Sequence, residues 1–130
     1  GVYTAPGIDE ALRTHLIPLA TGIVPNAFEF SHLATSSGDA VEQARSMLGE
    51  HGQWVVVTSS ATDEESVTDL IVTRTDHVEV NNPLVTTTAK GAGDVYAAAL
   101  IAALHKKMAL IDAATHAAAT VGEVLTARVL

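Results

Sequence analysis

The chain has 130 residues, 48% of them hydrophobic, enough for one domain that removes roughly two-thirds of its extended-chain surface from water. Its 15 acidic and 7 basic residues give a formal charge of −8, which repels nucleic acid and anionic membrane surfaces. No cysteine is present, which excludes disulfides and thiol nucleophiles, and the longest strongly apolar run, Ala97–Leu104, is far shorter than the ~20 residues of a membrane-spanning helix. We therefore expect a cytoplasmic protein without a nucleic acid or membrane partner.

The first half of the chain predicts short helices around one short strand. Apolar residues at helical spacing and polar residues at the expected starts indicate the helices, and Pro25 ends the strand because it has no N–H group. The predicted elements are a helix that Asp9 caps and that runs to about Ala20, a strand over Gly22–Val24, a short helix around Phe28–Leu33, and a helix that Asp39 caps and that ends near Gly49. We expect the first helix to pack on a sheet.

The second half begins with the clearest strand. Trp54–Val57 is aromatic and β-branched without alternation, which is typical of a strand buried on both faces of a parallel sheet. From Gly91 to Leu104 the chain is apolar almost all round, which predicts a centrally buried helix. The remaining predicted elements are a solvated acidic loop at Asp63–Glu65, strands over Leu70–Thr73 and His77–Val80 joined by a turn near Asp76, and a last helix from about Leu110 to Leu125. Together these elements predict an α/β sandwich.

The segment Thr88–Asp94 is the most informative for function, because a turn of small residues leads straight into the apolar helix. Small residues let backbone N–H groups approach an anion, and the helix amino terminus adds a partial positive charge. Gly91, Ala92 and Gly93 are therefore a candidate anion hole for a phosphate. The alternative is that the glycines only shape the loop and Asp94 caps the helix.

Asp94 is also a candidate catalytic base. In phosphoryl transfer the attacking hydroxyl loses its proton late, so an aspartate mainly has to orient that hydroxyl and then accept the proton. Lys90 could add a positive charge near the phosphates, although a lysine in a surface turn can equally be solvated.

Asn26 and Glu29, three residues apart where a strand turns into a helix, are candidate magnesium residues. Mg²⁺ prefers oxygen ligands and usually keeps several waters, so these side chains could hold the ion through water. The alternative is that Asn26 caps the helix and Glu29 lies on a solvated face. Thr58 and Ser59, which are expected to close the buried strand, could reach a phosphate or could simply end the strand.

Other catalytic arrangements find less support in the sequence. A serine nucleophile would need a glycine-flanked elbow, which Thr58–Ser60 does not supply. The six histidines show no close ligand spacing and are interpreted as surface or packing residues: His15, His32, His51, His77, His105 and His116.

Three segments, in this order, resemble motifs of the ribokinase superfamily and are most similar to those of pyridoxal kinases. They are Val24–Glu29 (VPNAFE), Val55–Ser59 (VVVTS) and Gly91–Asp94 (GAGD). The opening loop and first helix also resemble the segment after a DPVMG-type strand, so the likeness covers essentially all 130 residues. Hydroxymethylpyrimidine kinases are similar too, but they usually have a cysteine where Asp94 stands.

The resemblance implies a ribokinase-like three-layer α/β/α sandwich, of which residues 1–130 are a single nucleotide-binding portion, the carboxy-terminal half of a longer kinase. It implies ATP-dependent phosphorylation of the 5′-hydroxymethyl group of pyridoxal, pyridoxine or pyridoxamine, with Asp94 as base and the Gly91–Asp94 backbone as anion hole. It further implies that Asn26 and Glu29 organise Mg²⁺ and its waters, and that Thr58 and Ser59 contact the phosphates of ATP, the co-substrate.

The chain also departs from the pyridoxal kinases. Val24 and Ala92 stand where many of them have threonine, so two hydroxyl groups are absent. The family's amino-terminal half, which supplies most of the vitamin pocket, has no counterpart here, so we expect the chain to bind MgATP even where it does not turn over alone. An exposed sheet edge, together with the dimers typical of the family, predicts a homodimer or other self-association.

Two other hypotheses stay open at this stage. A sugar or nucleoside kinase of the same superfamily would keep the site but change the acceptor, which substrate profiling would reveal. A non-catalytic ribokinase-like interaction module would keep the fold without the chemistry, and it would be indifferent to replacement of Asp94.

Overall fold

The computed structural model describes residues 7–34, 36–84 and 91–129. The elements within these ranges are α1 (Ile8–Ala11), which continues as a π-helical turn (Leu12–Leu16) and a 3₁₀ turn (Ile17–Leu19), β1 (Gly22–Ile23), α2 (Ala27–Leu33), α3 (Ala40–Ser46), β2 (Trp54–Thr62), β3 (Ser66–Thr73), β4 (His77–Pro83), α4 (Ala92–His105) and α5 (Leu110–Val129). Every predicted helix and strand has a counterpart, although the ends shift and the first predicted helix is α-helical only over Ile8–Ala11. Of the helices in the described ranges, none is long and apolar enough to cross a membrane.

Helix ends follow local hydrogen bonding. Asp39 caps α3 as predicted, since its Oδ1 accepts a hydrogen bond of 2.8 Å from the Glu42 N–H. The helix stops at Ser46 rather than near Gly49 because the following N–H groups bond three residues back and tighten the last turn. The first helix begins at Ile8 and includes Asp9, which corrects the prediction that the helix starts after Asp9. Gly7 adopts a left-handed φ of 89° and its carbonyl accepts the first helical bond, so the helix begins one residue before Asp9.

The four strands form one sheet in the order β1-β2-β3-β4. β1 runs parallel to β2, with Gly22 opposite Trp54, and a Cβ at Gly22 would overlap the Trp54 indole. The connections at residues 63–65 and 74–76 are too short for a crossover, so β2, β3 and β4 run antiparallel and the sheet is mixed. The three valines of β2 are 0%, 0% and 1% exposed, which confirms a strand buried on both faces.

Contacts divide the chain into two compact units, of which the first comprises Gly1–Ser60 and Asp69–Glu79. Its core joins α2 and α3 to alternate residues of β2 and β3, namely Phe30, Ala44, Met47, Val55, Val57, Leu70 and Val72. The first helical segment contributes less than predicted, because only Ile17 of its π and 3₁₀ turns is among the partly buried side chains packed on this core.

The second unit comprises Ala61–Thr68 and Val80–Leu130, and in it α4 packs against α5. Buried residues of α4 recur at helical spacing (Tyr96, Leu100 and Ala103), and those of α5 are small (Ala113, Ala114 and Ala117). The prediction of a centrally buried α4 is wrong for the described chain, since Ile101 is 55% exposed. Its apolar composition did not reveal which side of the helix is covered.

Candidate functional site

The parallel pairing of β1 and β2 brings two groups of predicted site residues together. Beyond the end of β1, Asn26 forms a parallel bridge with Thr58, and the Thr58 N–H donates a hydrogen bond of 2.9 Å to the Pro25 carbonyl. Proline cannot donate in return, so the pairing ends here and the chain turns into α2. The candidate magnesium residue Asn26 and the candidate ATP residue Thr58 are thus neighbours, although 32 positions separate them in the sequence.

Asn26 and Glu29 form a reciprocal capping box at the start of α2. The Glu29 N–H donates a hydrogen bond of 2.8 Å to Asn26 Oδ1, and the Asn26 N–H donates one of 2.9 Å to Glu29 Oε1. The helix-cap interpretation of Asn26 therefore describes the geometry. It does not exclude a metal, because both side chains are exposed and a carboxylate has lone pairs on two oxygens. Such a donor set suits a magnesium ion held through its waters.

Thr58 and Ser59 lie within β2 and do not close it, which corrects their predicted position. β2 continues to Thr62, but its buried part ends at Thr58, which is 8% exposed, and Ser59 is exposed. Ser59 adopts a left-handed φ of 53°, which side-chain-bearing residues rarely adopt. The change from buried to exposed therefore coincides with a backbone irregularity.

Asp69 of β3 supports this irregularity and was missed by the sequence analysis. The Ser59 N–H donates a hydrogen bond of 2.9 Å to Asp69 Oδ1, and Asp69 is only 5% exposed. Burial raises the pKa of the Asp69 carboxyl, and the hydrogen bond from Ser59 opposes that rise. The available signal was an aspartate directly before the apolar run Leu70–Val72, where a carboxylate needs a compensating partner.

The residue at the cap position of α4 provides no side-chain cap. Gly91 precedes the helix with a left-handed φ of 92°, and Asp94 is an exposed residue of the first turn. The alternative in which Asp94 caps the helix is therefore wrong, because Gly91 occupies the cap position and has no side chain to bond the first N–H groups. Lys90, the third candidate ATP residue, lies outside the described residues.

A side chain at Gly91 and a side chain at Gly93 are expected to affect stability differently. A Cβ at Gly91 or Gly93 would have no neighbour within 4 Å among the described atoms, but only Gly91 has a positive φ. We expect Gly91→Ala to lower the free energy of unfolding by about 1 kcal/mol, whereas Gly93→Ala should leave it unchanged or raise it by up to ~1 kcal/mol. Urea unfolding of the two variants measures the difference, and equal destabilisation would contradict it.

All six histidines are exposed, in agreement with their interpretation as surface or packing residues, and His32 also lies against the Phe28 ring at a centroid distance of 4.4 Å. Within the described ranges, no group of three or more histidine, aspartate or glutamate side chains is placed to hold a metal directly.

Comparison with known proteins connects these features to one family. The sequence model of the phosphomethylpyrimidine kinase family matches residues 3–129. A pyridoxine/pyridoxal/pyridoxamine kinase of Bordetella bronchiseptica is 39% identical over 132 residues, which cover 96% of this chain and 47% of that protein. A pyridoxal kinase of Rubrobacter xylanophilus is 32% identical over 96% of this chain and 46% of its own length. The chain thus spans about half the length of the curated relatives it matches.

Solved structures give the same result for the fold. The pyridoxal kinase of Bacillus subtilis, in an ADP complex, superposes with a TM-score of 0.72 at 30% identity, covering 88% of this chain and 47% of that one. The pyridoxal kinase of Staphylococcus aureus, in complex with AMP-PCP and pyridoxal, gives a TM-score of 0.75 at 26% identity over 92% of this chain and 47% of that one. These likenesses confirm the predicted ribokinase-like α/β fold and the resemblance to pyridoxal kinases.

Proposed function

The chain belongs to the phosphomethylpyrimidine kinase family, and from this premise we propose that it is the nucleotide-binding portion of a kinase for vitamin B6. The reaction is transfer of the γ-phosphoryl group of ATP to the 5′-hydroxymethyl oxygen of pyridoxal, pyridoxine or pyridoxamine. The observation that carries the proposal is the exposed Asp94 in the first turn of a helix that a left-handed glycine precedes. Relatives that are pyridoxal kinases by name, solved with ADP or with AMP-PCP and pyridoxal, support it.

Asp94 acts as the base in this proposal. The acceptor hydroxyl oxygen forms a bond to the γ-phosphorus while the bond to the bridging oxygen of ADP breaks, and the hydroxyl proton passes to the Asp94 carboxylate. The N–H groups of Ala92 and Gly93, which have no acceptors within the helix, stabilise the negative charge of the transferred group. Both effects need groups that the substrates can reach, and Gly93 and Asp94 are exposed.

The end of the β1–β2 pair contacts the nucleotide in this proposal. Thr58 and Ser59 bind the phosphates of ATP, and Asn26 and Glu29 hold Mg²⁺ through water. When bound, Mg²⁺ neutralises part of the phosphate charge. The bridge between Asn26 and Thr58 supports this assignment, because it makes a residue proposed for Mg²⁺ the neighbour of a residue proposed for the ATP phosphates.

Calorimetric titration with MgATP tests the assignment of Glu29. Glu29→Gln keeps an oxygen that can accept the Asn26 N–H, so the capping box survives, but it removes the negative charge that favours Mg²⁺. We expect the dissociation constant for MgATP to rise about tenfold, a change of ~1.4 kcal/mol. We also expect this difference to disappear when EDTA removes the metal.

Glu42→Gln is the matched control, because Glu42 occupies the same position in α3 behind its cap Asp39 and is also exposed. It should bind MgATP like the unmodified chain. Equal weakening in both variants would point to general electrostatics, and no binding of MgATP by the unmodified chain would refute the proposed function for this chain.

Self-association belongs to the same proposal. β4 lies at one edge of the described sheet, and most of its residues are exposed. The outer backbone groups of an edge strand can pair with those of a second copy. Light scattering coupled to gel filtration tests this, since a monodisperse monomer would contradict it.

A further inference from the structure

Ser59 holds an unfavourable backbone conformation in the middle of a strand. Its φ of 53° lies in the left-handed region, which L-residues other than glycine rarely adopt because Cβ comes too close to the following carbonyl oxygen. Serine has no intrinsic preference for that region, unlike glycine or asparagine. Its surroundings must therefore hold the conformation in place.

Bonds on two sides hold this stretch of β2. Toward β1, the Thr58 N–H donates to the Pro25 carbonyl at 2.9 Å. Toward β3, the Ser59 N–H donates to Asp69 Oδ1, also at 2.9 Å. The second bond replaces a backbone carbonyl with a side-chain oxygen as the acceptor, so β2 can depart from the regular ladder without leaving a donor unpaired.

Asp69 is a costly residue to bury for structural reasons alone. It is 5% exposed and directly precedes three buried apolar residues of β3, and burial disfavours its charged form. An apolar residue at this position would pack without that cost. The carboxylate therefore indicates that holding Ser59 has a use beyond packing.

We propose that Asp69 is a positioning residue for nucleotide binding. It fixes the Ser59 backbone in the left-handed conformation, and thereby sets the direction in which the Thr58 and Ser59 hydroxyl groups meet the phosphates of ATP. The inference rests on the proposed function, since it gives Asp69 its role through the two residues assigned to ATP.

Three variants and a control test the proposal in the full chain. Asp69→Ala removes the acceptor, Asp69→Asn keeps an oxygen that can accept the Ser59 N–H, and Asp69→Ala combined with Ser59→Gly removes the need for restraint, because glycine adopts positive φ readily. Val72→Ala is the control, since Val72 is a fully buried residue of the same strand whose truncation lowers stability without touching Ser59. Amide hydrogen exchange at Ser59 and calorimetry with MgATP are the two measurements.

We expect Asp69→Ala to speed exchange of the Ser59 amide and to raise the dissociation constant for MgATP about tenfold, as loss of a hydrogen bond to a charged group predicts. Asp69→Asn and the double variant should restore affinity to within about threefold of the unmodified chain. Val72→Ala should unfold more easily but bind MgATP normally.

The outcomes that overturn the proposal are distinct from failure of the proposed function. Unchanged exchange at Ser59 in Asp69→Ala would overturn it whether or not ATP binds. Normal affinity in Asp69→Ala, or equal weakening in Val72→Ala, would overturn only the positioning role. An unmodified chain that does not bind MgATP would refute the proposed function and, with it, the role of Asp69 in nucleotide binding.

Discussion

Asp94→Asn is expected to lower kcat for ATP-dependent phosphorylation of pyridoxal by about 10²–10⁴-fold in any form of the proposed kinase that turns over, the usual contribution of a positioned base. Asparagine has nearly the same shape as aspartate and can still orient a hydroxyl, but it cannot take up the proton. The dissociation constant for MgATP should change less than about threefold, because the base acts on the acceptor hydroxyl and not on the nucleotide. Initial rates and calorimetry on the same preparations measure both effects.

Asp112→Asn is the matched control for Asp94→Asn. Asp112 is likewise an exposed aspartate in the first turn of a helix, α5, so its replacement removes the same charge from an equivalent helix position. Its kcat should equal that of the same form of the kinase without a substitution. Unchanged kcat in Asp94→Asn would refute the catalytic assignment and favour a non-catalytic interaction module.

Leu100→Ala is expected to have the largest effect on stability. Leu100 is 0% exposed in α4, the helix that packs against α5, and truncation of a buried leucine removes its transfer free energy and leaves a cavity. The free energy of unfolding should fall by about 2–5 kcal/mol. This is a large part of the ~5–15 kcal/mol that stabilises a typical domain, and urea denaturation measures it.

Ile101→Ala provides the comparison, because Ile101 is the next residue of the same helix and is 55% exposed. Alanine has the higher helix propensity, so stability should change by less than about 0.5 kcal/mol. A loss as large as that of Leu100→Ala would mean that the exposed side of α4 is covered in solution. The pair therefore also tests which side of α4 the core uses.

Local signals predicted most of the fold. The cap at Asp39, the breaker at Pro25 and the apolar run Trp54–Val57 each act through neighbouring residues, and the structure has the corresponding helix start, strand end and buried strand. The errors lie where local signals compete or are silent. The first helix begins at Ile8 and not after Asp9, because Gly7 adopts the left-handed φ from which the chain enters the helix.

The candidate site was predictable where a motif is contiguous in sequence and not where it depends on pairing. The GAGD segment at Gly91–Asp94 carries its own signals, a glycine for the left-handed position and an acid in the first turn. The role of Asp69, in contrast, can be recognised only once β3 is paired with β2, because its carboxylate then accepts a hydrogen bond from the Ser59 N–H. Single-sequence reasoning could not anticipate that contact, since nothing in the order of residues states which strands are neighbours.

Hydrophobic periodicity, caps and short motifs act over a few residues, so the order and type of the elements, the family resemblance and the candidate residues could be predicted from the sequence alone. Three features depend on the folded chain: Asn26 lies beside Thr58, Asp69 is buried against Ser59, and α4 is covered on one side. These are contacts between distant segments, and their free energy depends on which surfaces are removed from water together, a quantity that no local pattern contains.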